Sequence, residues 1–437
     1  MTKIQNIQKL PQINKKTIPN IAVLFIVGAS NTVAAVDQIE VNGLAQFGLH
    51  YSDHSAPWLS PWLDGGTGVL RENEGLNIGL DFATVELHAD INVEWSITSV
   101  LQSNLDGNEH FGATEFHLNY RPIPTKGRLK GIRNQLRIGY FYPEFSLENT
   151  DIGWTSPYTF NFSAINSWVA EEVRPLGIEW TISRPGRQVR SPHSYEFVAA
   201  AYQQNDGVAS LLSWRGWAIH NRQSVIGEKV DFANYFQFMP VEHPNPTYVD
   251  INKETDGRVG FYLGAHYQYL KRTDFRVYLY DNLANPFGLE PDMQYSWRTK
   301  FASLSVLHKL NRDSRVLFQY MNGSTEMGDN LGGVHNDFQA WYLLYNKKLG
   351  QHRFTARYDA FDVNDKDLNS FDPNQSKGNS WTLNWRYVPT SGWFGQTWHL
   401  GAEVTYVDSN NQNRTLWTNW RGQQDQTKYS LISQLRF

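Results

Sequence analysis

Three clusters in this 437-residue chain hold residue types that could do chemistry. Glu171-Glu172 is a pair of acids, the equipment of general acid/base hydrolysis. Neighbouring residues of a strand point to opposite faces, so on a strand the two could not flank one bond. His50 and His54 have a spacing that brings imidazoles together on a helix, but here the first ends a strand-like stretch and the second follows in a loop. Gly65-Gly66-Thr67-Gly68 has the glycines of a phosphate cradle without a strand before it and a helix after it, and reads as a turn. The sequence has no Walker loop, nucleophile-elbow serine or His-Glu-x-x-His. Cysteine is absent, which excludes disulfides, a thiol nucleophile and cysteine metal sites. No catalytic residue, metal site or cofactor is expected.

The remaining charges follow a pattern. Arg121, Arg137, Arg276, Arg315, Arg353, Arg357, Arg386 and Arg436 alternate with apolar residues, as do Glu86, Glu94, Glu115, Glu179, Asp359 and Glu403. Such alternation is the mark of strands with one wet and one oily face. A charge on a lipid-facing wall would cost ~2–4 kcal/mol at the midplane, so these side chains are expected to line a lumen. Arginine rings draw anions and carboxylate rings draw cations. Both signs together leave two arrangements open: ion pairs that stiffen the wall, or an anion ladder.

The elements that must position these charges are legible from the end of the chain. Tyr429, Leu431, Leu435 and Phe437 share one face; Lys428, Ser430, Gln434 and Arg436 share the other, with Ile432 the exception. Most chains end in a polar, frayed tail. This one ends on an aromatic inside the pattern, as expected of a closing strand and an insertion signal for barrel-assembly machinery. The same alternation recurs in Trp381/Leu383/Trp385/Tyr387 against Thr382/Asn384/Arg386, and in Trp398/Leu400/Ala402/Val404/Tyr406 against His399/Glu403/Thr405. Segmentation gives roughly sixteen strands of ~9–14 residues. Connections alternate between short (270–273, 310–314, 348–352) and long (51–77, 143–171, 205–257, 284–295, 323–335, 363–377, 408–425), with 105–109 and 122–131 breaking the rhythm. That parity is the habit of a transmembrane barrel with short periplasmic turns and long external loops.

The fold class expected is therefore all-β: a transmembrane up-and-down antiparallel barrel of about 16 strands over residues 36–437. Loop 143–171 carries Glu148, Trp154, Tyr158 and Trp168 and is too apolar for a solvated loop, so it should fold inward as a constriction. Residues 205–257 should form a long external loop that caps the barrel and contains an extra hairpin. Aromatics make up 14% of the chain, which suits interfacial girdles and would equally suit a secreted glycan-binding β protein. No apolar run is long enough for a helical span. Residues 1–35, with Lys3, Lys9, Lys15 and Lys16 before an apolar core and Val33-Ala34-Ala35, read as a cleavable signal peptide. Its loss takes four Lys and no acid from a net charge of −4, and the acidic remainder argues against a nucleic-acid partner.

Two stretches carry a family resemblance. Arg137-Ile138-Gly139-Tyr140-Phe141-Tyr142-Pro143-Glu144-Phe145-Ser146-Leu147-Glu148-Asn149 and Ala164-Ile165-Asn166-Ser167-Trp168-Val169-Ala170-Glu171-Glu172-Val173-Arg174-Pro175-Leu176-Gly177 resemble the phosphate- and polyphosphate-selective porins of Gram-negative outer membranes. The resemblance implies a sixteen-stranded, homotrimeric channel among outer-membrane lipids, with loop 143–171 narrowing a pore for small hydrophilic solutes, anions such as phosphate among them. Sugars or organic acids are the alternative cargo. A barrel enzyme of the lipid hydrolase type is the alternative function, and it would show a Ser/His/acid cluster at the external rim. The whole reading rests on a wet hollow; an open sheet or an apolar packed centre would count against it.

Overall fold

The computed structural model describes residues 38–53, 61–122, 131–232, 246–329, 331–390, 392, 396–416 and 421–437. The expected signal peptide lies outside the described residues.

The alternating segments form strands. On the first side of the chain they are β1 (Gln38–Asp53), β2 (Gly75–Asp90), β3 (Trp95–Asn104), β4 (Phe111–Tyr120), β5 (Arg133–Tyr140), β6 (Leu176–Arg184) and β7 (His193–Gln203). A short hairpin follows, β8 (Lys229–Asp231) and β9 (Tyr248–Asp250). Then come β10 (Gly260–Tyr269), β11 (Thr273–Asp281), β12 (Arg298–Lys309), β13 (Ser314–Met327) and β14 (Val334–Leu349). The last are β15 (His352–Asp365), β16 (Ser376–Tyr387), β17 (Thr397–Asn411) and β18 (Gln423–Arg436). All but β8 and β9 pair with their neighbours in an antiparallel barrel of sixteen strands, closed where β1 meets β18. At that seam Gly43 and Phe437 exchange backbone hydrogen bonds of 2.8 and 3.1 Å. A Cβ on Gly43 would strike the Phe437 ring, so a larger residue there would push that ring aside.

Short turns collect at one end of the barrel and long connections at the other, but 105–110 and 328–333 are short at the long-loop end, the second against expectation, and 121–132 is long at the short-turn end. Tyr429, Leu431 and Phe437 stand exposed on the outer wall, in a band with Leu263, Leu279, Leu343, Leu383 and Leu400. Two aromatic belts border this band. Trp341, Tyr358 and Trp381 pack in series toward the long-loop end, with centroids 5.4 and 4.6 Å apart. Tyr195 and Tyr267, 5.5 Å apart, and Trp95 and Tyr120, 4.5 Å apart, lie toward the short turns. Amphipathic rings at two levels around an oily band are what two lipid–water interfaces select.

Two expectations need correction. Glu171-Glu172 is not on a strand; it ends the helix α1 (Ala164–Glu172), which Ser163 caps by accepting from the Asn166 amide. A hydroxyl cap followed by Ala, Ile, Trp and Val without a strand partner favours the helix. Residues 206–225 are not an external cap either. They include α2 (Ser210–Arg215), are buried almost throughout, and pack inside the wall; only β8–β9 matches the expected hairpin.

Candidate functional site in the barrel lumen

The lumen is occupied. The connection 141–175 crosses it and meets nearly every part of the wall. Its backbone is mostly irregular, so its amides and carbonyls need partners other than a ladder. The charges of the wall supply them. Glu115 accepts from the Tyr142 amide (3.1 Å) and Glu86 from Gly153 (3.3 Å). Glu403 accepts from Phe160 (2.7 Å) and Asn161 (3.0 Å), and Asp359 from Ala164 (3.1 Å). Arg386 donates to the Thr159 carbonyl (3.1 Å), Arg276 to that of Glu144 (3.1 Å), and Arg357 to those of Asn161 (3.1 Å) and Phe162 (2.7 Å). Arg357 also pairs with Glu148 of the loop at 2.7 Å and Asp359 of the wall at 2.8 Å, and all three are completely buried.

A second layer closes over the first. Trp62, from the β1–β2 connection, donates to Glu171 (2.8 Å), while Arg215 stacks on its ring and pairs with Glu171 at 2.9 Å. Glu172 accepts from Trp168 (2.8 Å) and from the Leu211 and Leu212 amides (3.0 and 3.1 Å). Burial, reinforced by the neighbouring Glu171, pushes the Glu172 carboxyl up to about 8. Burial acts on Glu171 in the same sense, but Arg215 and His220 outweigh it and hold that carboxyl far below its usual range. Both acids are consumed in joining α1 to the 205–225 segment, and neither faces open space. They are a structural pair.

The two sides of the lumen differ. From β7 to β14 the long-loop half of the wall is largely apolar: Phe145 wedges edge-on among Tyr278, Phe301 and Tyr262, and Trp168 packs on Phe301, Phe338 and Trp217. One continuous cluster of buried side chains joins loops and wall there. From β15 through β18 to β5 the wall is polar. At the short-turn mouth of that side Arg353, Arg386 and Arg436 stand on β15, β16 and β18 with His399 among them, and Arg315 joins them from β13. Asp151 at the loop tip pairs with Arg436 and lies near Arg353 and Arg386. Farther along, Lys428 binds Glu72 (2.8 Å) and Asn161 (3.0 Å).

Most of the residues singled out in the sequence face this interior. Arg137 pairs with Glu179 at 2.7 Å and covers Phe141. Arg315 lies over Tyr158, and Trp154 stacks on Tyr142 at 4.4 Å. Arg121 is exposed at the short-turn rim, bonded to Gln135 (3.1 Å), and Glu94 lies in the 91–94 turn rather than in the wall. Few of the charges form ion pairs across the wall; most hold the loop. The wet hollow expected from the alternation is, through the middle of the barrel, a packed interior. Sequence reasoning missed Lys428, Glu72 and Asp81 as a group. Lys428 was already legible on the polar face of the final strand, whereas Glu72 lies in a loop and Asp81 points inward only because a bulge opposite Gln46–Phe47 leaves it unpaired.

Asp81 completes another arrangement. His50 lies 2.8 Å from Ser430 Oγ through Nδ1 and 2.8 Å from Asp81 through Nε2, a serine–imidazole–carboxylate chain across three adjacent strands. All three side chains are nearly buried between wall and loop.

No family profile and no curated protein sequence matches the chain. Solved structures do. The outer membrane channel DcaP of Acinetobacter baumannii aligns over 91% of this chain and 97% of its own, at 10% identity and a TM-score of 0.54. A loop L8 deletion mutant of OmpT, an outer membrane protein of Vibrio cholerae, covers 92% and 99% at 9% identity and 0.51. An anion-selective porin from Comamonas acidovorans covers 92% and 99% at 11% identity and 0.50. At such identities the likeness is one of fold, the sixteen-stranded transmembrane barrel of porin type.

Proposed function

We propose that the chain is an outer-membrane channel for small hydrophilic anions, held shut in this conformation by its own lumenal loops. The short turns then face the periplasm and Phe437 lies on that side. The observation that carries the reading is the positive short-turn mouth, where Arg353, Arg386 and Arg436 stand near the single carboxylate of Asp151, which pairs with Arg436, and Arg315 adds a fourth guanidinium beside Arg353. Beyond it Glu403, Lys428, Glu72 and His50 form a buried polar seam between loop and wall. Ionised groups in a low-dielectric cleft focus a field and concentrate counter-ions. Polar contacts along this seam can be exchanged for contacts with solute, whereas the packed apolar side offers a solute nothing. The phosphate expectation belongs to the same reading, as do the signal peptide, the insertion role of Tyr429, Leu431, Leu435 and Phe437, and the homotrimer. In planar bilayers under a salt gradient the purified protein should show anion selectivity, and Arg315→Glu with Arg353→Glu should move the reversal potential toward cations. An unchanged potential removes both residues from the path.

One observation favours a second reading, hydrolysis of an ester by Ser430, with His50 as base and Asp81 orienting it. Ser430 sits on a regular strand whose backbone amides are used in the ladder, so the usual backbone donors for an oxyanion are missing. Release of p-nitrophenol from short-chain esters that disappears in Ser430→Ala would favour this reading; equal rates in both proteins dismiss it.

A further inference from the structure

We infer that Glu144, Glu196 and His266 form a binding site for one divalent transition-metal ion of the zinc class, at the short-turn mouth on the apolar side. The three residues come from separate elements: Glu144 from the first turn of the lumenal loop, Glu196 from β7 and His266 from β10. Their ligand-type atoms all lie within 4.8 Å of one another. They share a cavity of about 300 Å³ whose lining also includes Gln268, Asp274 and Arg276.

The donor set fits the ion. One imidazole and two carboxylates suit zinc and its neighbours, and a tetrahedral ion with bonds of about 2.0–2.2 Å leaves the fourth position to water. Ligand atoms around such an ion stand about 3.3 Å apart, so Glu144 must close in by up to about 1.5 Å while Glu196 and His266, 2.7 Å apart, open slightly. Glu144 can move. Its side chain is half exposed, and the nearest guanidiniums, Arg276 and Arg137, stand off at 3.7 and 4.0 Å, outside hydrogen-bond reach. His266 is already aimed. Nδ1 lies 2.7 Å from Glu196, and Nε2 lies 2.7 Å from the Tyr278 hydroxyl, which would fix the ring once Nδ1 gives its proton up to bind metal. Without metal the same imidazole is satisfied between Glu196 and Tyr278, and that purely structural role is what the experiment must separate. Because its ligands join loop to wall, an occupied site ties the start of the lumenal loop to β7 and β10. The inference is independent of the transport reading.

The test is zinc titration of the full-length protein in detergent micelles, in competition with a chromogenic chelator. One equivalent should bind per chain. His266→Gln and Glu144→Gln should each weaken binding at least tenfold, while Gln268→Ala, in the same cavity, should leave it unchanged. X-ray absorption of the loaded protein should show a nitrogen/oxygen shell with one imidazole. Absence of zinc binding, equal binding in both ligand variants, or a shell without imidazole would overturn the assignment. Glu144 lies on a loop and half in solvent, so its variant keeps the test decisive should the His266 variant fail to fold.

Discussion

The two sides of the lumen hold the same loop by different means. On the β7–β14 side Phe145 and Trp168 are gripped by rings, a contact that is strong, non-directional and indifferent to which backbone atoms lie nearby. On the β15–β5 side the wall reads the loop chiefly atom by atom, carboxylates taking amides and guanidiniums taking carbonyls, whereas across the lumen only Arg276 and Ser305 add such bonds to the ring contacts, among the described residues. A barrel wall must carry polar residues on its inner face in any case, and here they satisfy a backbone that has no ladder of its own. The difference suggests a division of labour. The apolar side is an anchor, and the polar side is a set of contacts that water or solute can replace.

Mutations should break or sharpen that contrast. The largest effect is expected from Arg357→Ala, which leaves Glu148 and Asp359 buried without their cation and two loop carbonyls without a donor. Removing one partner of a buried ion pair costs about 3–5 kcal/mol. Protease cleavage within 143–171 should appear while the barrel strands stay protected, and a loop as resistant as wild type would deny the wall charges their holding role. Trp168→Ala should cost a comparable ~3–5 kcal/mol by emptying the apolar side. That loss should appear in thermal unfolding with ion selectivity intact; altered selectivity would erase the distinction between the sides.

Glu403→Gln is milder. A neutral amide oxygen replaces a carboxylate that takes two loop amides, at about 1–3 kcal/mol. Protease sensitivity should rise near Phe160 and nowhere else. The smallest effect is in pH. The Glu172 carboxyl lies at about 8 in the folded loops, above its unfolded value. The stabilisation by its protonated form is therefore complete below the ordinary carboxyl range and lost as pH rises through about 8. Loop protection should fall progressively from about pH 5 to about pH 8 and level off above it, and Glu172→Gln should flatten the profile; a slope that survives the substitution places the titrating group elsewhere.

The wall was legible in the sequence because lipid enforces strict alternation: Tyr429, Leu431 and Phe437 could only be outward, and Arg357, Asp359 and Glu403 only inward. Alternation reports which face a side chain is on and is silent about what fills the other side. Charged inner residues look the same whether they meet water or the amides of Phe160 and Ala164. Loop 143–171 announced itself by its aromatics, because an apolar connection needs a surface to bury against. The 206–225 segment was hidden by its Ser, Asn, Arg and Gln residues, which resemble a solvated cap until Glu171, Glu172 and Trp62 are seen to receive them. Long-range pairs such as His50 with Ser430 depend on where β1 meets β18, and spacing along the chain does not carry that information.

The most direct measurement is single-channel recording of wild type beside Arg357→Ala in planar bilayers. If the loops shut a real channel and the polar wall holds them, the wild type should be mostly silent with rare steps, and the variant should open often to one conductance level that favours anions. A wild type that stands open continuously, or two proteins that never step, would contradict the account.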